Sequence, residues 1–194
     1  MGTIIKLAKA DQHGSVALEH AITVRRSRRR FSAQELTLEQ IGQLAWSAQG
    51  QDARGGYRTA PSAGATYPLE LFVVTGDGLF HYLPARHSLE KLKEQDLRGE
   101  LALAAWGQGF IEAAPVTLVF AAQFSRTTGR YGERGIRYVY MEGGHAAQNV
   151  HLEAEALGLG SVAVGAFDDG SVSKVLELPS ELEPIYMVVA GYCH

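Results

Sequence analysis

The chain has 194 residues, 46% of them hydrophobic, and a formal net charge of -3. Length and apolar share predict a single domain over residues 1–194 with a sizeable core, and the mild acidity excludes a global attraction to nucleic acid or to an anionic membrane. No apolar run approaches the roughly 20 residues of a membrane span, the N-terminus MGTIIKLAKADQHG carries no signal-peptide core, and the single cysteine, Cys193, excludes a disulfide framework and a cysteine metal site; a cytoplasmic protein without a metal is expected.

Ser15–Val24 reads as a helix with Ser15 as the N-cap candidate. It runs into Arg25, Arg26, Ser27, Arg28, Arg29, Arg30 and Phe31, with five arginines in six positions. A solvated charge run or a nucleic-acid patch is one reading of such a cluster, but no second basic cluster supports a duplex footprint. If the segment is extended, Arg25, Ser27 and Arg29 point one way. Two guanidinium forks and a hydroxyl on one side suit a phosphate monoester.

Thr37–Gly50 reads as a helix, with a capping box of Thr37 and Gln40 and a stop at Gly50. Its predicted buried stripe is Leu38, Ile41, Leu44, Ala45 and Ala48. Arg58–Pro68 is a small-residue loop, either an ordinary tight turn or a place where backbone approaches a ligand. Leu69–Thr75 and Leu79–Leu83 flank Gly76-Asp77-Gly78 as a β-hairpin. Ser88 to about Phe110 reads as helical, and Val116–Phe120 as a buried strand. Ser125–Gly135 reads as a polar, glycine-rich loop that could act as a mobile lid.

Gly135 to about Leu157 has no proline and is long enough for six helical turns. Gly143, Gly144, Ala146 and Ala147 sit in its middle, although a mid-helix glycine costs roughly 1 kcal/mol against alanine. Close approach of a second backbone is the expected reason. Glu142, His145, Gln148 and Asn149 fall along one side, a polar stripe that a core partner or a ligand must satisfy. Gly158-Leu159-Gly160 then breaks the chain, Ser161–Phe167 is a strand, Asp168 or Asp169 caps a short helix ending near Leu178, and Ile185–Gly191 is the last strand. Glycines 158, 160 and 165 follow a helix and enter a strand, the reverse of a dinucleotide-binding turn. The element order predicts a mixed sheet covered by helices.

Four segments in this order resemble the flavin-dependent nitroreductase family: RRSRRRF (25–31), APSAGATYPLELFVV (60–74), YMEGGHAAQNVHLEAEALGLGSVAVGAFDD (140–169) and PIYMVVAGY (184–192). Their wording is similar to the SagB-type branch, which includes azoline oxidases of peptide natural products. The resemblance implies an α+β fold with a mainly antiparallel sheet, a long buried central helix, a homodimer and one FMN per subunit at its interface. By resemblance, Arg25, Ser27 and Arg29 would hold the ribityl phosphate and the pyrimidine edge. Pro61, Ser62, Ala63 and Ala65 of the other subunit would line the ring. Gly165 and Ala166 would offer a backbone N–H to flavin N5, and Gln148 or His145 would face the cofactor or the interface.

Two departures stand out. Many members have asparagine at the Ala65 position and a late basic residue on the phosphate, whereas no Lys or Arg follows Lys174; either Arg26 or Arg58 would serve instead, or FMN would be bound less tightly. The Lys-Tyr pair of azoline oxidases falls on Arg130-Tyr131, and arginine is a poor general base. The implied activity is NAD(P)H-driven hydride transfer through FMN to a small acceptor such as a nitroarene or quinone. Tyr131, Arg130 and His145 are candidates for protonating substrate. The alternatives are azoline oxidation with a partner cyclodehydratase, and a flavin-binding module used for storage or sensing without turnover.

Overall fold

The computed structural model describes residues 2–52 and 56–194. It contains seven strands, β1 (Thr3–Lys6), β2 (Leu69–Thr75), β3 (Gly78–Leu83), β4 (Ser88–Lys93), β5 (Val116–Ala122), β6 (Gly160–Val164) and β7 (Glu183–Gly191). They form one sheet in the order β1-β4-β3-β2-β5-β7-β6, and every pair in it is antiparallel.

Side chains alternate between the faces of the sheet, as a period of two requires. Leu71, Val73, Leu118, Phe120 and Val188 face one side. There they meet Leu44, Ala45 and Ala48 of α2 (Leu38–Gln49) and Ala146, Ala147, Val150 and Ala154 of α6 (Arg134–Ala156). Phe72, Val74, Val119, Ala121, Met187 and Val189 face the other. They are covered by α3 (Arg98–Ala104), α4 (Phe110–Ala113) and α7 (Asp169–Leu176). Among the described residues no helix is long and apolar enough to cross a membrane.

The hairpin, the Thr37 capping box, the Asp168 cap that accepts from Ser171 N and the long helix stand where the sequence puts them. The long helix runs for 23 residues. It is buried along the face that meets the sheet, while Ile136, Tyr140 and Met141 are exposed.

Four local expectations are corrected. Ser15 does not cap the first helix: α1 (Leu18–Val24) begins at Ala17, which has no side-chain cap bond. In α2 Leu38 is exposed, and Gln43, Ser47 and Gln49 are buried instead. Ser88–Lys93 is a strand rather than helix, paired with β1 on one side and β3 on the other. Its Leu, Glu and Lys residues are good helix formers, but two flanking strands outweigh that weak preference. Ser125–Tyr131 is a helix, α5, rather than a loop. Gly132, at φ 57, ends it, and Gly135 starts the next helix where a Cβ would stand 2.9 Å from Thr128 Cα. Gly135 thus serves a tight α5–α6 junction.

Candidate functional site

The arginine segment leaves α1 and runs extended along the free edge of β6. Ser27 forms a parallel bridge with Ser161, Arg28 N donates to Ser161 O at 2.9 Å, and Ser32 N donates to Tyr192 O at 2.8 Å. This strap gives the sheet its one parallel contact in the region. Being extended, it sends alternate side chains opposite ways. Arg28 turns inward, its Nε 3.8 Å from Glu155 Oε1, with the Glu155 side chain only 8% exposed. Ser27 and Arg29 are exposed and Arg25 is half-buried. Among the described residues, the strap's only ion pair belongs to Arg28. Arg25, Ser27 and Arg29 therefore present two guanidinium groups without an ion pair, that of Arg29 lying 6.0 Å over the Phe110 ring, and a hydroxyl, a donor set that fits a phosphate monoester.

Gly165 and Ala166 follow β6 and are exposed. They lie four and five residues beyond Ser161, about 13 Å along the strand. Gln108 Nε2 donates to Ala166 O at 2.8 Å and so fixes that turn. The helix α6 runs antiparallel to β6. His151 is level with Ser161, to which it is hydrogen-bonded. His145 is then about 9 Å back along the helix, toward the Gly165 end, with Gln148 between them. Both are exposed. His145 and Gln148 on α6 and Gly165 and Ala166 after β6 are thus exposed residues toward the same end of these two neighbouring elements.

Pro61, Ser62, Ala63 and Ala65 form a second group. Gly64 (φ 59), Ala65 (φ 53) and Tyr67 (φ 47) are all left-handed, a concentration of backbone strain typical of functional loops. Arg130 Nη1 donates to Gly64 O at 3.3 Å. A Cβ on Gly64 would stand 2.6 Å from the Tyr131 hydroxyl. Arg130 and Tyr131 therefore belong to this loop, not to the strap. Gly64→Ala is expected to cost about 1–3 kcal/mol, from the positive φ and this crowding together; urea unfolding of the variant measures it.

Two elements of the sequence reading change. Arg58 does not reach the strap, because its Nη1 donates to Leu69 O at 2.9 Å and to Gln49 and its guanidinium lies 4.9 Å over the Tyr67 ring. And the polar stripe of α6 divides: Asn149 donates to Ser47 O and Thr59 O inside the chain, while His145 and Gln148 face outward.

Spacing places Glu142 in the polar stripe but gives it no role of its own, and does not mark His151 at all. Glu142 is 2% exposed; it is hydrogen-bonded to Ser62, and its Oε1 has no partner. Burial pushes its carboxyl up to about 7, against the weaker pull of Ser62 and Arg58. His151 is 7% exposed, with Nδ1 2.7 Å from Ser161 Oγ. Burial, and then the charge of Arg25, push its imidazole down to about 4. The signal that marks both is a titratable residue on the apolar face of a helix.

The Glu142 shift predicts a pH effect. A raised carboxyl contributes stability that is fully present below its unfolded value near 4.5 and is lost as pH rises through about 7. Glu142→Gln removes that loss. Its stability relative to wild type is expected to improve by roughly 2–3 kcal/mol between pH 5 and pH 8, read from urea midpoints at both values. An unchanged difference would mean that Glu142 ionises freely in the folded chain.

A cavity of about 760 Å³ opens elsewhere, among residues 8–16, α1, α2 and α6, and is lined by Asp11, Gln43, Trp46, Ser47, Asn149 and Glu153. No strap residue lines it, nor do Pro61, Ser62, Ala63 or Ala65; of the loop, Thr59 does. The two candidate groups instead lie about 13 Å apart along α6, measured from Glu142 to His151, as two open half-sites.

Comparison with known proteins gives this surface a context. The chain is 45% identical over 179 residues to a candidate nitroreductase, MJ1384, of Methanocaldococcus jannaschii, covering 88% of this chain and 90% of that protein. It is 29% identical to the microcin B17-processing protein McbC of Escherichia coli, over 62% of this chain but only 48% of McbC, so it spans about half of that relative. Its fold matches the crystal structure of a candidate nitroreductase of Ralstonia eutropha JMP134 with a TM-score of 0.89 and 30% identity, over 98% of this chain and 90% of that one. The family model described as the nitroreductase family matches residues 22–192, so this chain belongs to the nitroreductase family and is an oxidoreductase of the flavin-dependent kind.

Proposed function

We propose that residues 1–194 form one FMN-binding domain that works as a cytoplasmic homodimer and uses NAD(P)H to reduce a small organic acceptor of the nitroarene or quinone type. The observation that carries this reading is the strap. Arg28 is turned in to Glu155, leaving Arg25, Ser27 and Arg29 for the phosphate and the pyrimidine edge, with Arg26 as the nearby spare cation. Gly165 and Ala166 offer backbone to the ring. Pro61, Ser62, Ala63 and Ala65 come from the second subunit, which joins one chain's loop to the other chain's strap. When bound, FMN supplies the hydride chemistry. The protein binds and orients it, keeps water from the ring, and offers His145, Tyr131 and Arg130 as groups able to hold a proton near the acceptor.

The test is direct. Purified protein is mixed with FMN, desalted, and scanned for flavin absorbance; NAD(P)H consumption is then followed with a quinone or nitroarene. Protein that takes up no FMN would end this reading, and bound FMN without turnover would favour a storage or sensing module. A second reading, oxidation of peptide azolines, is favoured by the likeness to McbC. Against it, Arg130 stands where that chemistry would need a base, and its guanidinium is engaged with Gly64 O.

A further inference from the structure

The strap is held from below by α6. His151 Nδ1 lies 2.7 Å from Ser161 Oγ. Ser161 is fully buried, and its carbonyl accepts the N–H of Arg28 while its backbone bridges Ser27. One helical turn further on, Glu155 takes Arg28. Two consecutive turns of α6 thus fix the strap's inner side and so aim its outer side. Ser161 joins strap to helix, and His151 is the only titratable group bonded to it among the described residues. The charges facing this junction are Arg25 and Arg28 from the strap and Glu155 from the helix, with the Cys193 thiol of the C-terminal segment beside the last two.

We propose that His151 is the positioning residue of the phosphate-binding strap, and that a phosphate monoester held by Arg25 and Arg29 binds together with a proton on the His151 ring. This rests on the FMN reading above. The physical reason is reciprocal. With the strap empty, the dry surroundings and, after them, the uncompensated charge of Arg25 keep the imidazole neutral. A phosphate dianion on Arg25 cancels that field and favours the imidazolium. By linkage, protonation then favours the phosphate by the same factor. The proton comes from solvent, and no bond other than N–H is made.

The experiment compares FMN with riboflavin, which has the ring and no phosphate. Dissociation constants are measured by flavin fluorescence for wild type and His151→Gln between pH 4 and 7. Glutamine can still bond Ser161 but cannot take up a proton, and the ionisation of FMN itself is common to both proteins. The ratio of the variant's constant to the wild type's is expected to grow as pH falls, by up to about tenfold per pH unit, while riboflavin shows no such trend. A ratio that is flat with pH, or equal trends for FMN and riboflavin, overturns the proposal. Should His151→Gln not fold, ring NMR of the wild type replaces it: His151 is expected to titrate at least one unit higher with FMN present, and an unmoved titration overturns the proposal. Wild-type protein that takes up no FMN would instead remove the parent reading, and this inference with it.

Discussion

Arg25→Ala is expected to weaken FMN binding by roughly 1.5–3 kcal/mol, about 10- to 150-fold, the scale of a hydrogen bond to a charged group. Arg28→Ala is expected to change affinity much less. The two arginines differ in where the extended strap sends them. The alternation of an extended segment puts Arg25 with Ser27 and Arg29, whereas Arg28 reaches back to Glu155, and its Cδ lies 2.6 Å from where a Cβ on Gly160 would stand. Removing Arg28 leaves a buried carboxylate without its cation, so its cost should appear as lost folding stability. Titration of apo-protein with FMN, paired with urea unfolding of each variant, separates the effects. Equal losses of affinity at both positions would mean that the cluster acts as a diffuse positive patch, and the alternating geometry would have no functional meaning.

That alternation was legible in the sequence because a period of two needs only an extended backbone. The long helix was legible because 23 residues without proline leave few other outcomes. The hairpin and the Asp168 cap follow from turn and cap chemistry that acts over two to four residues. What escaped was set by distant partners. Ser88–Lys93 has the composition of a helix, and only the flanking β1 and β3 make it a strand. Ser125–Gly135 has the composition of a loop, and only the contact of Gly135 with Thr128 shows that the segment folds back tightly onto α5. Arg58 was read as a spare phosphate ligand because charge is visible in sequence and direction is not. Glu142 and Asn149 were read together as one stripe, yet Glu142 is buried under Ser62 and Asn149 binds carbonyls from α2 and the following loop. The same limit applies to the paired glycines. A Cβ on Gly143 would stand 3.0 Å from Ile185 Cδ1, so its close neighbour is a side chain of β7, not a second backbone.

Gly144 is the other case, and its substitution is expected to have the largest effect. A Cβ there would meet nothing within 4 Å. Around it on the same side of α6 lie Ile136 (44% exposed), Tyr140 (55%) and Met141 (50%), with Gly144 one turn beyond Tyr140. Apolar side chains of this size, left open beside a glycine, suit a second helix packing closely across a two-fold axis. In a single chain, Gly144→Leu costs nothing in packing and gains about 1 kcal/mol of helix propensity. Any loss must therefore come from the partner. At an isologous seam the added side chain enters twice, at roughly 1–3 kcal/mol per site. That weakens a dimer by about 2–6 kcal/mol, or some 30-fold to 10⁴-fold. Because the loop of one subunit and the strap of the other are proposed to share each FMN, dimer and cofactor should be lost together. The variant is expected to elute at the size of one chain, to take up no flavin, and to unfold at a urea concentration no lower than isolated wild-type chain. Gly143→Leu is the contrasting control, since it strikes Ile185 in the core and should lower folding stability itself. A Gly144→Leu protein that remains dimeric and binds FMN would show that this face of α6 does not form the seam, whatever reaction the enzyme performs.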